Sequence, residues 1–386
     1  MRTLITPLPH VLVVFALGCG ADDAGSTGSQ DATTGETSEE STGADSSSGG
    51  DPTAEQCESM TIPVALTADG PTEYEVEGTL CWRGALTGRT LQVLSHGAGY
   101  GPIYWDFDLE PEVYSYVQAA QAQGYAVFNF ARLGVGTSDY PPANQLTIEA
   151  DAFVLHQVIG QLRAETGARG EPVGSIVTVG HSMGSVITIA HGIEYPQDAD
   201  AIVLTGFIHH VNGDYVNATA ADQVPATDDS RFDDRDVGEG YLSSSREARR
   251  AFYFESEADP AVIERDWETR ETVSLTEVFG IGAYYNDGAQ NLRVPVIEVV
   301  GDHDFIGCGT SLSGETLDCT DTEAVIANEA ERFDPSTCLE TIVIPSAGHV
   351  LNLQRQAPDV YDVMLDWVDR RVGPSPDQPA LDPCSG

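Results

Sequence analysis

The chain has 386 residues, of which 41% are hydrophobic, 61 are acidic and 18 are basic, and its formal net charge is −43. Each of the 18 basic residues is an arginine, which excludes Ser-Lys dyads, lysine Schiff bases and phosphate loops that depend on lysine. A chain this acidic is repelled by nucleic-acid phosphates and anionic lipid headgroups, so we expect it to bind no nucleic acid. Its length suffices for one large hydrophobic core, or two at most.

The first 19 residues resemble an export leader. A short basic start precedes an apolar run at 11–17, which is too short to span a bilayer but suits the core of a signal peptide. The run ends in ALGC at 16–19, which resembles the lipobox of bacterial lipoproteins, whose cysteine is lipidated after cleavage. The sequence thus predicts an extracytoplasmic protein that is lipid-anchored at Cys19, with secretion or a periplasmic location as the alternative.

Residues 20–56 consist largely of Gly, Ser, Thr, Asp and Glu and contain almost no large apolar side chain. Such a segment cannot bury enough surface to offset its chain entropy, and we expect a disordered acidic linker. The linker would hold a folded domain at 57–386 away from the membrane, which the protein would contact only through its anchor.

Six cysteines lie outside the leader, and an even set of this kind is typical of disulfides in exported chains. They are Cys57, Cys81, Cys308, Cys319, Cys338 and Cys384. Several pairings are open, of which the short Cys308–Cys319 loop is the first we expect, and unpaired buried thiols are the alternative. The sequence has no C-x-x-C motif and no Cys/His cluster, so we expect no metal site.

In the folded part, apolar runs bounded by Gly, Pro and polar residues predict eight strands. These are Ile62–Leu66, Tyr74–Trp82, Leu91–Leu94, Tyr125–Phe130, Ile176–Val179, Ala201–Leu204, Val294–Val300 and Leu339–Ile344. Apolar residues at helical spacing predict helices near 113–120, 148–162, 186–191, 323–333 and 360–368. Alternating strands and helices predict an α/β fold with a mostly parallel, doubly wound sheet.

Residues 207–293 break this alternation, because they are acidic, aromatic and irregular. We interpret them as a lid inserted between core strands, at the strand ends. Their aromatic residues are expected to form a small core of the lid and, in part, an apolar pocket over the site. These are Tyr241, Phe252, Tyr253, Phe254, Trp267, Phe279, Tyr284 and Tyr285.

The segment Gly180–Gly184 (GHSMG) follows one predicted strand and opens a predicted helix. This is the context of a nucleophile elbow, a sharp turn that exposes a strained serine at the end of a strand. Close packing at such a turn excludes side chains from the two flanking glycine positions. Ser182 is therefore the candidate nucleophile, with an ordinary helix N-cap as the alternative.

A serine nucleophile needs a base, and the base needs an acid to orient it. His349 follows the strand predicted at 339–344, while Asp302 and Asp304 both follow the strand predicted at 294–300. The carboxyl ends of parallel strands lie at the same edge of a sheet, so we expect these side chains to lie close together. Their order along the chain, serine, then aspartate, then histidine, is the order typical of sites built on a nucleophile elbow. His349 is thus the candidate base, and the residues themselves leave two candidate acids.

An oxyanion that forms on the substrate needs two N–H donors. One is expected from Met183, directly after the nucleophile. The other is expected from the loop Ser95–Gly99 (SHGAG), which follows the strand predicted at 91–94, and we favour the N–H of Ala98. A plain tight turn is the alternative reading of this loop. Neither His96 nor His181 needs to titrate, and we interpret both as structural.

These motifs, in this order, resemble those of the α/β-hydrolase superfamily over residues 61–372. They are HGAG at 96–99, RLGVGTS at 132–138, GHSMG at 180–184, GDHD at 301–304 and GH at 348–349. The resemblance implies that Ser182 is the nucleophile, His349 the base and Asp304 the acid, since the family's acid commonly stands third after the glycine. It also implies acyl-transfer chemistry that needs no cofactor.

Two segments of the predicted lid contain residue types that can bind metal ions. His209 and His210 precede Asp214, but adjacent histidines rarely point at one ion. The acidic run at 228–236 offers oxygen ligands for calcium, yet it lacks the spacing of a calcium loop. We expect a solvated acidic loop there and no metal at either place.

The sequence therefore predicts a serine hydrolase that cleaves a small-molecule carboxylic ester through an acyl-enzyme. Peptide cleavage or another reaction on the same triad is the first alternative. The peptidase alternative is supported by the acidic residues of the predicted lid, because amine-recognising peptidases often carry acidic residues there. These are Glu255, Glu257, Asp259 and Glu264. A non-catalytic surface-binding lipoprotein and an acyltransferase are the others.

Overall fold

A computed structural model describes residues 54–221, 223–285 and 288–381, so the leader, residues 20–53 of the linker and Cys384 lie outside the described residues. The strands of the main sheet are β1 (Glu55–Val64), β2 (Tyr74–Arg83), β3 (Leu91–Ser95), β4 (Ala126–Phe130), β5 (Ile176–His181), β6 (Ala201–Thr205), β10 (Val296–Gly301) and β13 (Glu340–Ile344). The shorter strands are β7 (Gln223–Pro225), β8 (Tyr241–Ser244), β9 (Val273–Ser274), β11 (Gly309–Thr310) and β12 (Thr316–Leu317).

Helices connect most of the strands of the main sheet, and one follows the last strand. They are α1 (Pro111–Tyr114), α2 (Tyr116–Ala122), α3 (Ile148–Ala168), α4 (Met183–Glu194), α5 (Gly213–Ala221), α6 (Arg246–Arg250), α7 (Pro260–Glu268), α8 (Leu275–Gly280), α9 (Thr322–Ala330) and α10 (Ala357–Arg371). Among the helices of the described residues, none combines the length and apolarity that crossing a membrane requires.

The main sheet has eight strands in the order β1-β2-β4-β3-β5-β6-β10-β13. The pairs β1–β2 and β2–β4 are antiparallel, and every other pair is parallel. Parallel strands need crossover connections, which the helices supply, and this covers both faces of the sheet. The mostly parallel, doubly wound α/β fold predicted from the sequence is therefore confirmed.

Alternate residues of the central strands pack against different helix layers. Leu91 and Val93 of β3 join a cluster with α3 and α4, whereas Leu94 joins a second cluster with α2 and α10. Both faces are thus buried, which explains why β3, β5 and β6 are buried along their whole length. Each fully buried aliphatic side chain contributes about 1.5–3 kcal/mol to folding.

Two disulfides join described residues, Cys57–Cys81 and Cys308–Cys319. The first links directly paired residues of β1 and β2, and the second is the short loop expected from the sequence. Cys338 is disulfide-bonded as well.

The first strand begins at Glu55, seven residues earlier than the sequence indicates. Its first residues are exposed and polar, so hydrophobic patterning cannot detect them; backbone pairing with β2 and the Cys57–Cys81 bridge hold them in the sheet. Residues 207–293 are also more regular than expected, because they contain α5 to α8 and a three-stranded sheet in the order β7-β8-β9.

Candidate active site

Ser182 lies between β5 and α4 with φ 53° and ψ −118°, a backbone conformation that L-residues rarely adopt. Such strain costs on the order of 1–3 kcal/mol and persists only where the surroundings enforce it. A Cβ at Gly180 would lie 2.5 Å from backbone atoms of Gly184 and Ser185, and a Cβ at Gly184 would collide with the carbonyl of Ser95. Both flanking glycines are therefore needed to seat this turn against α4 and β3.

The backbone of Ser182 is held on both sides. Its N–H donates to the carbonyl oxygen of Thr205 at 2.8 Å, and its own carbonyl accepts from Ser185 N–H at 2.9 Å. Met183 opens α4, so its N–H has no partner within the helix. The turn thus presents a half-buried serine side chain beside an available N–H donor.

The loop after β3 comes close to this serine. A Cβ at Gly97 would lie 3.2 Å from the Cβ of Ser182, so only glycine allows this approach without displacing it. The N–H of Ala98 donates to no acceptor among the described residues. Gly99 has φ 70°, and its carbonyl oxygen accepts from Arg249 Nη1 at 2.6 Å and from Glu271 N–H at 2.9 Å. The loop is therefore fixed, and the N–H of Ala98 stays available to a ligand.

The structure brings His349 together with Asp304. Nδ1 of His349 lies 2.8 Å from Oδ2 of Asp304, and each residue is 1% exposed. The other oxygen of Asp304 accepts from the N–H groups of Ile306 at 2.9 Å and Gly307 at 3.3 Å. The carboxylate is thus fixed, and it can hold the imidazole with its proton on Nδ1.

The alternative acid, Asp302, points elsewhere. Its Oδ1 lies 2.6 Å from Nδ1 of His303 and accepts from Ala347 N–H at 3.3 Å. The Asp302 side chain is 16% exposed and the His303 side chain is 39% exposed, in contrast to the buried Asp304–His349 pair. The geometry therefore favours Asp304 over Asp302, in agreement with the spacing that the resemblance implied.

His349 lies beside the elbow. Its ring is 4.9 Å, between centroids, from the ring of His181, the residue before the candidate nucleophile. His181 also stacks on Tyr104 at 4.1 Å. Burial, followed by the proximity of His349, holds the pKa of His181 well below its usual range. A neutral, stacked His181 fits a structural role, as expected from the sequence.

His96 is neutral for a similar reason. Burial, and after it the positive charge of Arg132, keeps the pKa of His96 well below its usual range. Nε2 of His96 accepts from Arg132 N–H at 3.2 Å, so the proton resides on Nδ1, which lies 3.1 Å from the carbonyl of Gly97. His96 therefore shapes the loop after β3 and does not act as a base.

The inserted segment contacts both sides of this site through one turn of chain, which no pattern in the sequence predicts. Arg249 bonds to Gly99 as described above, and the carbonyl of Phe252 accepts from His349 N–H at 2.8 Å. The Phe252 ring lies 5.4 Å from that of His349. Arg249 is the one residue here without a sequence signal, since nothing in the run REARR at 246–250 marks which arginine is buried.

Arg249 is buried together with its counterion. Its guanidinium lies 2.7 Å from Asp266 and 3.8 Å from the centre of the Tyr100 ring. Tyr253 donates to the second oxygen of Asp266 at 2.8 Å. Burial lowers the pKa of Arg249, but the carboxylate of Asp266 reverses the shift and raises it overall. Arg249 is therefore charged, and its removal would leave a buried carboxylate unpaired.

A cavity of about 110 Å³ lies beside the candidate oxyanion loop. Its wall is mainly apolar and includes Ala98, Phe252, Val273, Val278, Ile281 and Phe305. Of the aromatic residues singled out in the insertion, Phe252 alone lines this cavity. Tyr241 and Tyr253 are buried in the protein interior, and Phe279 is 66% exposed and belongs to no core.

The geometry does not support a metal site at His209 and His210 or in the acidic run at 228–236. Nδ1 of His209 lies 2.6 Å from Glu329, whereas Nδ1 of His210 lies 2.7 Å from the carbonyl of Gly307. The two imidazole rings therefore contact different partners and do not point at one position. In the acidic run, Asp229 forms an ion pair with Arg270 at 2.6 Å.

Three buried side chains, His209, Glu298 and Glu329, place potential ligand atoms within 4.8 Å of one another. A nitrogen and an oxygen bound to one ion at ordinary zinc distances of about 2.0–2.2 Å would be about 3.3 Å apart. The 2.6 Å separation between His209 and Glu329 is that of a hydrogen bond. The cluster therefore joins α9 to the chain after β6.

Comparisons with known proteins agree with this architecture. The alpha/beta hydrolase family matches residues 92–362. An esterase from Thermogutta terrifontis is 19% identical with a TM-score of 0.55, covering 81% of this chain and 98% of its own. An alpha/beta hydrolase from a Penicillium species is 16% identical with a TM-score of 0.51, and the match covers 82% of this chain and 98% of that protein.

An enol-lactonase from Burkholderia xenovorans is 14% identical with a TM-score of 0.50, covering 76% of this chain and 96% of its own. At such identities the likeness shows the fold alone. No curated protein sequence matches the chain. The family match spans well over half of the 386 residues, and the chain belongs to the alpha/beta hydrolase family.

Proposed function

We propose that the protein is a serine hydrolase that cleaves small carboxylic esters through an acyl-enzyme. The observation that carries the proposal is the buried 2.8 Å contact between Asp304 and His349, at the edge of the sheet where Ser182 occupies its strained turn. A buried carboxylate that fixes an imidazole beside a serine is the arrangement that activates a serine hydroxyl.

In this mechanism the hydroxyl oxygen of Ser182 attacks the ester carbonyl while Nε2 of His349 takes its proton. Asp304 holds the imidazole by its Nδ1–H and stabilises the imidazolium that forms. The proton then passes to the departing alcohol, which leaves the acyl group on Ser182. Water attacks the acyl-enzyme with His349 again as base, and the acid product is released.

The negative charge that develops on the carbonyl oxygen is received by the N–H groups of Ala98 and Met183. Both are positioned before the reaction, one by the fixed loop after β3 and the other by the first turn of α4. Such donors stabilise the transition state without reorganising. Apart from the ester and water, the proposed steps use only groups of this chain, and the chemistry needs no cofactor.

The insertion favours an ester over a peptide substrate. Glu255 and Glu264 form ion pairs with Arg250 and Arg246, and Asp259 caps α7 through Ala261 N–H at 2.8 Å. None of these carboxylates lines the cavity beside Ala98, whose wall is mainly apolar. An apolar wall suits an acyl chain and gives a substrate amine no counterion.

We also propose that the protein works outside the cytoplasm, lipid-anchored at Cys19 or otherwise secreted. The apolar leader and the ALGC sequence support this location. The disulfides of the folded part support it too, because cytosolic thiols are kept reduced.

The test uses purified protein with its disulfides intact and two assays, labelling by a fluorophosphonate probe and hydrolysis of p-nitrophenyl acetate. We expect Ser182→Ala to lose labelling and on the order of 10³-fold or more in turnover. Ser313→Ala, an exposed serine in a loop outside the site, is the matched control and should keep both.

Retained turnover in the Ser182→Ala variant would refute the nucleophile assignment. A folded wild type that neither labels nor hydrolyses esters would favour a binding protein. Acetate release has to be measured beside p-nitrophenol, because a transferase would pass the acyl group to an added alcohol instead of water.

A further inference from the structure

We propose that the cavity beside Ala98 is the acyl pocket and that it restricts the enzyme to esters of short, unbranched acyl chains, of about two to four carbons. This inference rests on the proposed function and specifies its substrate class. The cavity adjoins the proposed site through two of its lining residues, Ala98, whose N–H is the proposed oxyanion donor, and Phe252, whose carbonyl oxygen accepts from His349 N–H. An acyl group on Ser182 whose carbonyl oxygen binds Ala98 N–H would extend its chain toward this cavity.

The size of the cavity sets the limit. An apolar protein cavity of about 150 Å³ binds one benzene molecule, which has six carbons. The cavity beside Ala98 measures about 110 Å³, which on the same scale holds about four non-hydrogen atoms. An octanoyl chain would have to displace the wall or extend along the protein surface.

One side of the wall is fixed by buried polar contacts. Arg249 and Glu271 both donate to the carbonyl of Gly99, and the Arg249–Asp266 ion pair is fully buried. Both members of this pair belong to the insertion, so a swing away from the site would keep the pair together but break the hydrogen bonds of Arg249 and Glu271 to Gly99. Because a hydrogen bond from a charged group contributes about 1.5–3 kcal/mol, we expect no wide opening of this side.

The opposite side is anchored as well. Val278 and Ile281, which line the cavity, belong to α8 and the turn after it. The N-terminus of α8 is closed by a capping box between Ser274 and Glu277. Glu277 also forms a buried ion pair with Arg132, which belongs to the core. The cavity thus lies between two anchored walls, and its volume is set by the fold.

The experiment compares kcat/KM for p-nitrophenyl acetate, butyrate, hexanoate and octanoate, which share one leaving group. We expect the highest kcat/KM for acetate or butyrate and a value lower by about tenfold or more for octanoate. A single methylene group that does not fit a pocket already changes specificity by about tenfold or more. Substrates are kept below the concentrations at which they aggregate.

Two pocket variants test the cavity directly. Ile281→Ala enlarges it and should move the maximum toward hexanoate, while Ala248→Leu fills it and should penalise butyrate more than acetate. Ile326→Ala is the matched control, because Ile326 is 44% exposed on α9 and does not line the cavity. If Ile281→Ala fails to fold, Val278→Ala enlarges the same wall.

The outcomes separate the two proposals. Turnover that depends on Ser182 but is equal or higher for octanoate would overturn the chain-length limit and leave the serine hydrolase intact. An unchanged chain-length profile in folded pocket variants would overturn the assignment of this cavity to the acyl group. No Ser182-dependent turnover of any ester would overturn both proposals.

Discussion

Nη1 of Arg249 donates to the carbonyl oxygen of Gly99 at 2.6 Å, and so joins the insertion to the residue next to Ala98. The same turn of chain accepts a hydrogen bond from His349 N–H through Phe252. The insertion therefore orients both the proposed oxyanion loop and the proposed base. It thus forms part of the framework of the site.

Replacing Arg249 by methionine should lower kcat for a short ester by about tenfold or more with a smaller change in KM. The Gly99 carbonyl would lose a charged donor, and the loop that aims Ala98 N–H would relax. The loss should stay below the roughly 10²–10³-fold cost of deleting an oxyanion donor, because Arg249 acts through the loop. Steady-state kinetics measure the split between kcat and KM.

Two further variants separate this positioning effect from a general loss of stability. Arg249→Met with Asp266→Asn removes both buried charges and should restore much of the stability but not kcat. Arg246→Met breaks an exposed ion pair on the same helix and should leave both unchanged. A kcat that follows the melting temperature across the three variants would contradict a positioning role.

Asp304→Asn should reduce turnover far more than Asp302→Asn. Asp304 is the carboxylate in contact with His349, whereas Asp302 contacts the half-exposed His303. Loss of the proposed triad acid leaves the imidazole without its orienting charge, which costs on the order of 10⁴-fold in related chemistry. The two purified variants are compared on one ester, and the reverse ranking would move the acid to Asp302.

Much of this architecture could be predicted from local sequence patterns. The strands β3, β5 and β6 are short apolar runs buried on both faces, and such runs are visible without knowledge of the fold. The elbow at Ser182 depends on two glycines within five residues. Short-range signals of this kind need no long-range partner to be recognised.

The insertion could not be predicted in the same way. Its helices α6 and α8 have only five and six residues and are held by buried ion pairs, Arg249–Asp266 and Arg132–Glu277. The second pair joins residues 145 positions apart. Periodicity carries no information about such pairs, so the role of Arg249 emerges only from the structure.

Removing the Cys308–Cys319 bridge should lower activity as well as stability. Cys308 N–H donates to the carbonyl of Asp304 at 2.8 Å, in the turn whose N–H groups hold the Asp304 carboxylate. A disulfide that closes a loop of this size stabilises a domain by about 3 kcal/mol or less. The variant Cys308→Ala/Cys319→Ala is assayed for ester turnover and for its free energy of unfolding in urea.

The control is Cys57→Ala/Cys81→Ala, which removes the other bridge. That bridge joins β1 and β2, at the opposite end of the sheet order from β10 and β13, where Asp304 and His349 reside. It should lower stability with little change in kcat. Equal losses of kcat in the two variants would argue against a specific effect on Asp304.

The buried Glu298 should make stability fall as pH rises. Burial, and after it the charge of Glu329, raises the pKa of Glu298 well above 4.5, so the folded state keeps a proton that the unfolded chain releases. Stability from this group is fully present below pH 4.5 and is lost toward the raised folded pKa. The hydroxyl of Thr341 donates to Glu298 at 3.2 Å and so opposes this rise in pKa, but burial and the neighbouring Glu329 outweigh it.

Glu298→Gln keeps a neutral side chain of the same shape and removes this titration. Relative to wild type, the variant should therefore gain free energy of unfolding between pH 5 and pH 8, measured by urea denaturation at each pH. Glu75→Gln, an exposed glutamate on β2, is the matched control and should track the wild type. If Glu298→Gln and wild type differed by the same amount at both pH values, Glu298 would not be the proton-binding group.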